Sequence, residues 1–162
     1  MAKARIFKIL AAAAIVPVLT IGFAGSASAD GNVSWKNGVG NPSHTSGGAG
    51  LYLLPNSAGG GVTVTNYRYQ WHDVQNSDGT WNEVDSNGRC LTGYGSQAYT
   101  EDCNSGRDGT NPFQRWREIN TGSGFKLQNV QSGGFLDNSG NGGWGSVYVN
   151  GTDWNNDNQR WY

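Results

Sequence analysis

An all-β domain with internal threefold repetition is the fold class the sequence predicts, on three observations. First, a tryptophan recurs at 71, 116 and 161, the last two inside a shared string, Gln114-Arg115-Trp116 and Gln159-Arg160-Trp161. Tyr69 stands in the glutamine's place ahead of Trp71. Second, short aromatic and β-branched runs are bounded by Gly, Asn, Ser and Asp, the punctuation of strands and tight turns. Third, no window holds a 3.6-residue apolar period long enough for an ordinary helix, while the 26 glycines suit a chain with many turns. A unit of about 45 residues with few apolar side chains cannot close a core alone, so three must pack about a common centre. A propeller needs at least four blades, and a solenoid shows shorter, more regular units. Three units in one domain describe a β-trefoil.

Residues 1–29 stand apart from the repeats. Lys3, Arg5 and Lys8 give a basic start, "ILAAAAIVPVLTIGF" is a short apolar stretch broken by Pro17, and Ala27-Ser28-Ala29 ends it. This is the pattern of a secretory signal peptide with a small-residue cleavage site. The apolar stretch falls below the ~20 residues of a spanning helix. Residues 30–162 are therefore expected as a secreted, extracellular, soluble domain without membrane insertion, and as a monomer. The net charge is −1 overall and more negative once the leader's three cations are removed. That balance offers no basic surface for nucleic acid. Seven Trp and seven Tyr, each able to bury ~150–250 Å², make up for the scarcity of Leu, Ile, Val and Phe.

The repeats fall near 32–76, 77–121 and 122–162, opened by "VSWKN", "GTWNEV" and "GFKLQNV". Trp71, Trp116 and Trp161 are expected to form one buried layer, with Gln114 and Gln159 bonding backbone groups and fixing the adjacent turns. The strings "GLYLL", "QAYTE" and "SVYVN" set Tyr52, Tyr99 and Tyr148 as counterparts. Cys90 and Cys103 in an exported chain are expected as a disulfide. A metal site there lacks further ligands, since His44 and His72 are the only histidines. "DWNND" alternates Asp153, Asn155 and Asp157 like the start of a calcium loop, without the Gly and distant Glu such a loop requires. No metal or cofactor is expected. Neither histidine has a catalytic partner legible in sequence, and a glycosidase dyad is defined by separation in space; the chain is expected not to be an enzyme.

With Gln-x-Trp in two of its three units, the chain resembles the ricin B-chain type of carbohydrate-binding β-trefoil, and most nearly the actinohivin-like short secreted lectins of actinomycetes. The likeness runs through "LQNVQSGGFLDNSGNGGWGSVYVNGTDWNNDNQRW" and "NGRCLTGYGSQAYTEDCNSGRDGTNPFQRW", and is weak in the first repeat. Cys90 and Cys103 fall at the paired-cysteine positions of that repeat type. The resemblance implies a lectin for a neutral glycan, a polysaccharide or a glycoprotein sugar. It places a sugar-binding acid at Asp137, with Thr92 in the second repeat and His44 or Thr45 in the first. Tyr148, Asp153 and Asn158 line the third-repeat pocket on the same grounds, so binding is expected chiefly there. Sugar recognition needs acceptors for vicinal hydroxyls and an aromatic face. Asp137, Asp153 and Asn158 supply the acceptors, and charge strengthens Asp137's bonds; Tyr148, Trp144 or Trp154 supplies the face. In ricin-type sites the stacking aromatic follows the Tyr148 position, where this chain has Asn150. Asp137 is expected in a turn, so that its removal would leave the fold intact. The alternative is a degenerate trefoil acting as a protein-binding or inhibitory module.

Overall fold

The computed structural model describes residues 30–40, 50–57, 59–104, 111–140 and 145–162. The leader, His44, Thr45 and Trp144 lie outside the described residues. Among those described there is no α-helix, and every strand pairing is antiparallel. The strands are β1 (Gly31–Val33), β2 (Tyr52–Pro55), β3 (Val62–Thr65), β4 (Trp71–Gln75), β5 (Trp81–Val84), β6 (Arg89–Tyr94), β7 (Gln97–Asp102), β8 (Trp116–Asn120), β9 (Phe125–Asn129), β10 (Phe135–Asn138) and β11 (Val147–Asn150). Short 3₁₀ turns cover Gly38–Gly40 and Asp157–Gln159.

Two assemblies follow from the pairings. In the first, β1 pairs with β4, β4 with β5, β5 with β8 and β8 with β9. Trp161 then bridges Phe125 on one side and Asn37 on the other, which closes the ring. In the second, the hairpins β2–β3, β6–β7 and β10–β11 meet one another through Gly61 with Tyr99, Gln97 with Tyr148, and Thr63 with Ser146. Each hairpin touches the other two.

The threefold relation rests on one repeated hydrogen bond. The indole N–H of Trp71 donates to the Leu53 carbonyl at 3.0 Å, that of Trp116 to Leu91 at 2.9 Å, and that of Trp161 to Leu136 at 3.0 Å. A buried indole must place its N–H, and each repeat places it in the same way. All three rings are fully buried in a core shared with Trp35, Leu51, Leu53, Val62, Val64, Leu91, Leu127, Leu136, Val147 and Val149. Gln114 and Gln159 are buried beside them. Tyr69, in place of a glutamine, packs edge-on against Trp71 at 5.4 Å.

These bonds correct the alignment of the first repeat. Leu53 matches Leu91 and Leu136, so Tyr52 corresponds to Cys90 and Phe135, not to Tyr99 and Tyr148. Hairpin register pairs Leu54 with Thr63, as it pairs Thr92 with Tyr99 and Asp137 with Tyr148. Leu54, and neither His44 nor Thr45, therefore stands at the acid position, with Thr63 at the tyrosine position. The intervals from Trp71 to Trp116 and from Trp116 to Trp161 run through the second and third hairpins alone, so their even spacing does not register the first hairpin. Trp71 follows its leucine by 18 residues, whereas Trp116 and Trp161 follow theirs by 25.

Candidate functional site

Asp137 lies within β10, not in a turn, and is 1% exposed. Its Oδ2 accepts from Gln159 Nε2 at 2.9 Å, Asn150 Nδ2 at 3.0 Å and Asn156 Nδ2 at 3.4 Å. Three side chains, one from the end of β11 and two from the 3₁₀ turn with its N-cap, thus hold one carboxylate oxygen. Among the described residues no hydrogen bond reaches Oδ1 at 3.5 Å or less, and the Tyr148 hydroxyl lies beside the carboxylate. Tyr148 faces Asp137 across the hairpin, and Asn150 joins them by also donating to the Tyr148 hydroxyl at 3.3 Å. Partial burial and then the Asp137 charge raise the Tyr148 phenol above its usual pKa, so it is a neutral donor at physiological pH.

The loop after β11 is fastened from inside. Asp153 N–H donates to Gln159 Oε1 at 2.9 Å, and Gln159 Nε2 also reaches the Gly151 carbonyl at 2.8 Å. The buried Lys126 ammonium donates to the carbonyls of Asp153 and Asn156 at 3.2 and 2.7 Å. Burial and the Arg160 charge lower its pKa. Trp154, 53% exposed, is presented by this loop and rests edge-on against Phe135 at 5.0 Å. Phe135 and Asp137 are two apart on one strand and face the same side. Trp154 is therefore an exposed aromatic face beside the Asp137 carboxylate.

The Asp153 carboxylate accepts from Asn155 N–H in its own turn. Asn158 makes no described hydrogen bond to Asp137 or Tyr148; its carbonyl accepts from Asn37 and its N–H donates to Asn156. Asn150 and Asn156, which sequence reasoning did not assign to the pocket, are the amides that contact Asp137. In a stretch so rich in Gly and Asn they read as turn residues. The one available signal was Asn150's place at the usual stacking position, two residues beyond Tyr148.

The second repeat uses the same frame with different groups. Gln114 Nε2 reaches Thr92 Oγ1, Glu101 Oε1 and the Asp102 carbonyl, and Gln114 Oε1 accepts from Asn104 N–H. Glu101 thus holds the Asn150 position and Thr92 the Asp137 position, so the acid has crossed to the neighbouring strand. Cys90 and Cys103 are joined, with Cα atoms 5.0 Å apart. Cys90 corresponds to Phe135.

No family profile and no curated protein matches the chain. Solved structures do resemble it. ThreeFoil, a designed threefold-symmetric protein, shares 22% identity over 82% of this chain and 96% of its own, with a TM-score of 0.61. A Polyporus squamosus lectin, solved with the epitope Neu5Acα2-6Galβ1-4GlcNAc, shares 15% over 83% of this chain and 48% of its own, TM-score 0.61. The cytolethal distending toxin of Actinobacillus actinomycetemcomitans shares 16% over 81% and 88%, TM-score 0.62. This chain spans about half the length of the Polyporus lectin chain. The neighbours include β-trefoil lectins and toxins and also a GH43 β1,3-galactosidase, and the shared feature is the fold.

Proposed function

We propose that the chain is a secreted ricin-type β-trefoil lectin that binds a neutral glycan through its third repeat and carries out no catalysis. The observation that supports this reading is the preparation of Asp137. A buried carboxylate has one oxygen held by three amide donors, with the Tyr148 hydroxyl beside it and no hydrogen bond to the other oxygen among the described residues. An exposed indole, Trp154, stands on the same side. A pair of vicinal hydroxyls can donate to Oδ1 and receive from Asn150 or Tyr148, while the C–H face of the ring lies on Trp154. The carboxylate is already desolvated and oriented, so little ordering is lost on binding. The lectins among its structural neighbours and the disulfide are compatible with this reading and with an extracellular location.

The site is open and single, so monovalent affinity of about 0.1–1 mM is expected. In the first repeat Leu54 removes the acid. In the second, Thr92 stands at the acid position. The reading is tested on a glycan array with the purified protein, followed by competition with the free sugar. Binding to one class of neutral glycan that free sugar abolishes supports it. An array with no sugar-competable signal, together with capture of a protein partner, would favour the inhibitory-module reading instead.

A further inference from the structure

The ring of strands contains a feature that sugar binding does not use. Asp73 on β4, Glu83 on β5 and Glu118 on β8 bring carboxylate oxygens within 4.8 Å of one another. Asp73 and Glu83 are directly paired across β4 and β5. Each lies two residues beyond a buried tryptophan (Trp71, Trp81 and Trp116), so the strand period turns all three to the tryptophan side. A Trp-x-acid string occurs three times in the sequence for this reason.

Glu83 is 0% exposed; neither of its oxygens has a partner at full hydrogen-bond geometry, and the nearby Trp35 indole N–H is unpartnered as well. Asp73 Oδ1 and Glu118 Oε1 are likewise buried and unpartnered. Among the described residues the arginine ion pairs go to Asp102, Asp78 and Asp157, so none neutralises this group. Unpaired buried charge is among the most costly arrangements a core can hold. Pseudosymmetry sharpens the anomaly. Asn37, Asp85 and Asn129 each donate a backbone N–H two residues before the matched leucines. Trp35, Glu83 and Leu127 are therefore equivalent, and two of the three are apolar. An acid has replaced a core residue in one repeat only, and its empty lone pairs point at two further acids.

We propose that Asp73, Glu83 and Glu118 bind a hard divalent cation, calcium, inside the strand ring. Oxygens around calcium sit 2.3–2.6 Å from the ion, so any two lie within about 5 Å of each other; the observed spread satisfies this. Three carboxylates offer up to six oxygens, and half-buried Glu118 leaves a side open for water and for entry of the ion. The absence of thiolate and imidazole disfavours zinc. Protons are the competing occupants: burial first, then the neighbouring acids, raises Asp73 to about 8, and burial raises Glu83 and Glu118 as well.

The test uses the purified protein stripped with chelator. Terbium, a calcium surrogate, should show luminescence on excitation of tryptophan, because the Trp35 indole lies beside Glu83, and calcium should quench it by displacement. Calcium should raise the melting temperature at pH 8, with an apparent dissociation constant on the order of 0.1–1 mM, as in extracellular modules. Glu118→Gln should weaken binding on the order of tenfold or more. Absence of both terbium emission and a calcium-dependent melting shift in the parent would overturn the proposal. Undiminished binding by folded Glu118→Gln would place the ion elsewhere and overturn it too. Should that variant not fold, manganese broadening of the Trp35 indole resonance in the parent decides. Selective broadening supports the site; an unaffected Trp35 signal at saturating manganese refutes it.

Discussion

Replacing Asp137 with alanine removes the acceptor on which Gln159, Asn150 and Asn156 converge. Bonds to a charged acceptor are each worth about 1.5–3 kcal/mol net. The 3.4 Å contact from Asn156 is the weakest, and two of the donors retain a second acceptor: Gln159 keeps the Gly151 carbonyl and Asn150 keeps the Tyr148 hydroxyl. The loss is therefore below the simple sum, about 3–4 kcal/mol, which is a large part of a small domain's stability. Asp137→Asn keeps the shape and one carbonyl acceptor, so its cost should be about 1–2 kcal/mol. Urea titration followed by tryptophan fluorescence measures both. If Asp137→Ala costs under about 1 kcal/mol, its oxygen is not holding the loop, and the description of a preorganised carboxylate fails. The sequence alone suggested a turn position tolerant of substitution; the structure places the residue within a strand, with internal partners.

Other consequences follow from the same contacts. Trp161→Ala should lose about 3–5 kcal/mol, and Trp154→Ala, on an exposed loop, far less; equal losses in melting experiments would contradict the core assignment. Cys103→Ser should cost about 2–4 kcal/mol while leaving third-repeat binding intact, which titration of the variant checks. In chelator, stability should fall as pH rises. Asp73 has a folded pKa of about 8 against an ordinary 3.8, so the native state holds a proton that the unfolded chain has released. That stabilisation is complete below the unfolded value and is lost on approaching pH 8, at about 1.4 kcal/mol per pH unit for one proton. Urea midpoints that rise from pH 5 to pH 8 without divalent cation would contradict the buried-acid assignment.

Legibility in the sequence tracked physical constraint. The tryptophans were readable because each indole must bury its ring and satisfy its N–H at one fixed place, a demand that tolerates few substitutes. Gln114 and Gln159 were readable for the same reason: each reaches several partners from a buried position. Tyr52 was misassigned because a tyrosine flanked by leucines satisfies the same local pattern at Cys90's position as at Tyr99's, and only cross-strand register separates the two. Asn156 was invisible, and Asn150 was marked only by its place two residues beyond Tyr148, because an amide gives the same signal whether it forms a turn or steadies a carboxylate. Nothing in a strand pattern taken alone sets the three core acids apart, because alternation allows a charged residue on the solvent face. Their inward direction emerges only when each is counted from its tryptophan.

The central claim is that Asp137 and Trp154 together make a sugar site in the third repeat. Its most direct test is calorimetric or NMR titration of the best array sugar into the parent, Asp137→Asn and Trp154→Ala, each first shown to be folded. The account predicts saturable binding to the parent near ~0.1–1 mM and at least about a tenfold loss in each variant, equivalent to about 1.4 kcal/mol. Undiminished affinity in folded Asp137→Asn and Trp154→Ala would contradict it.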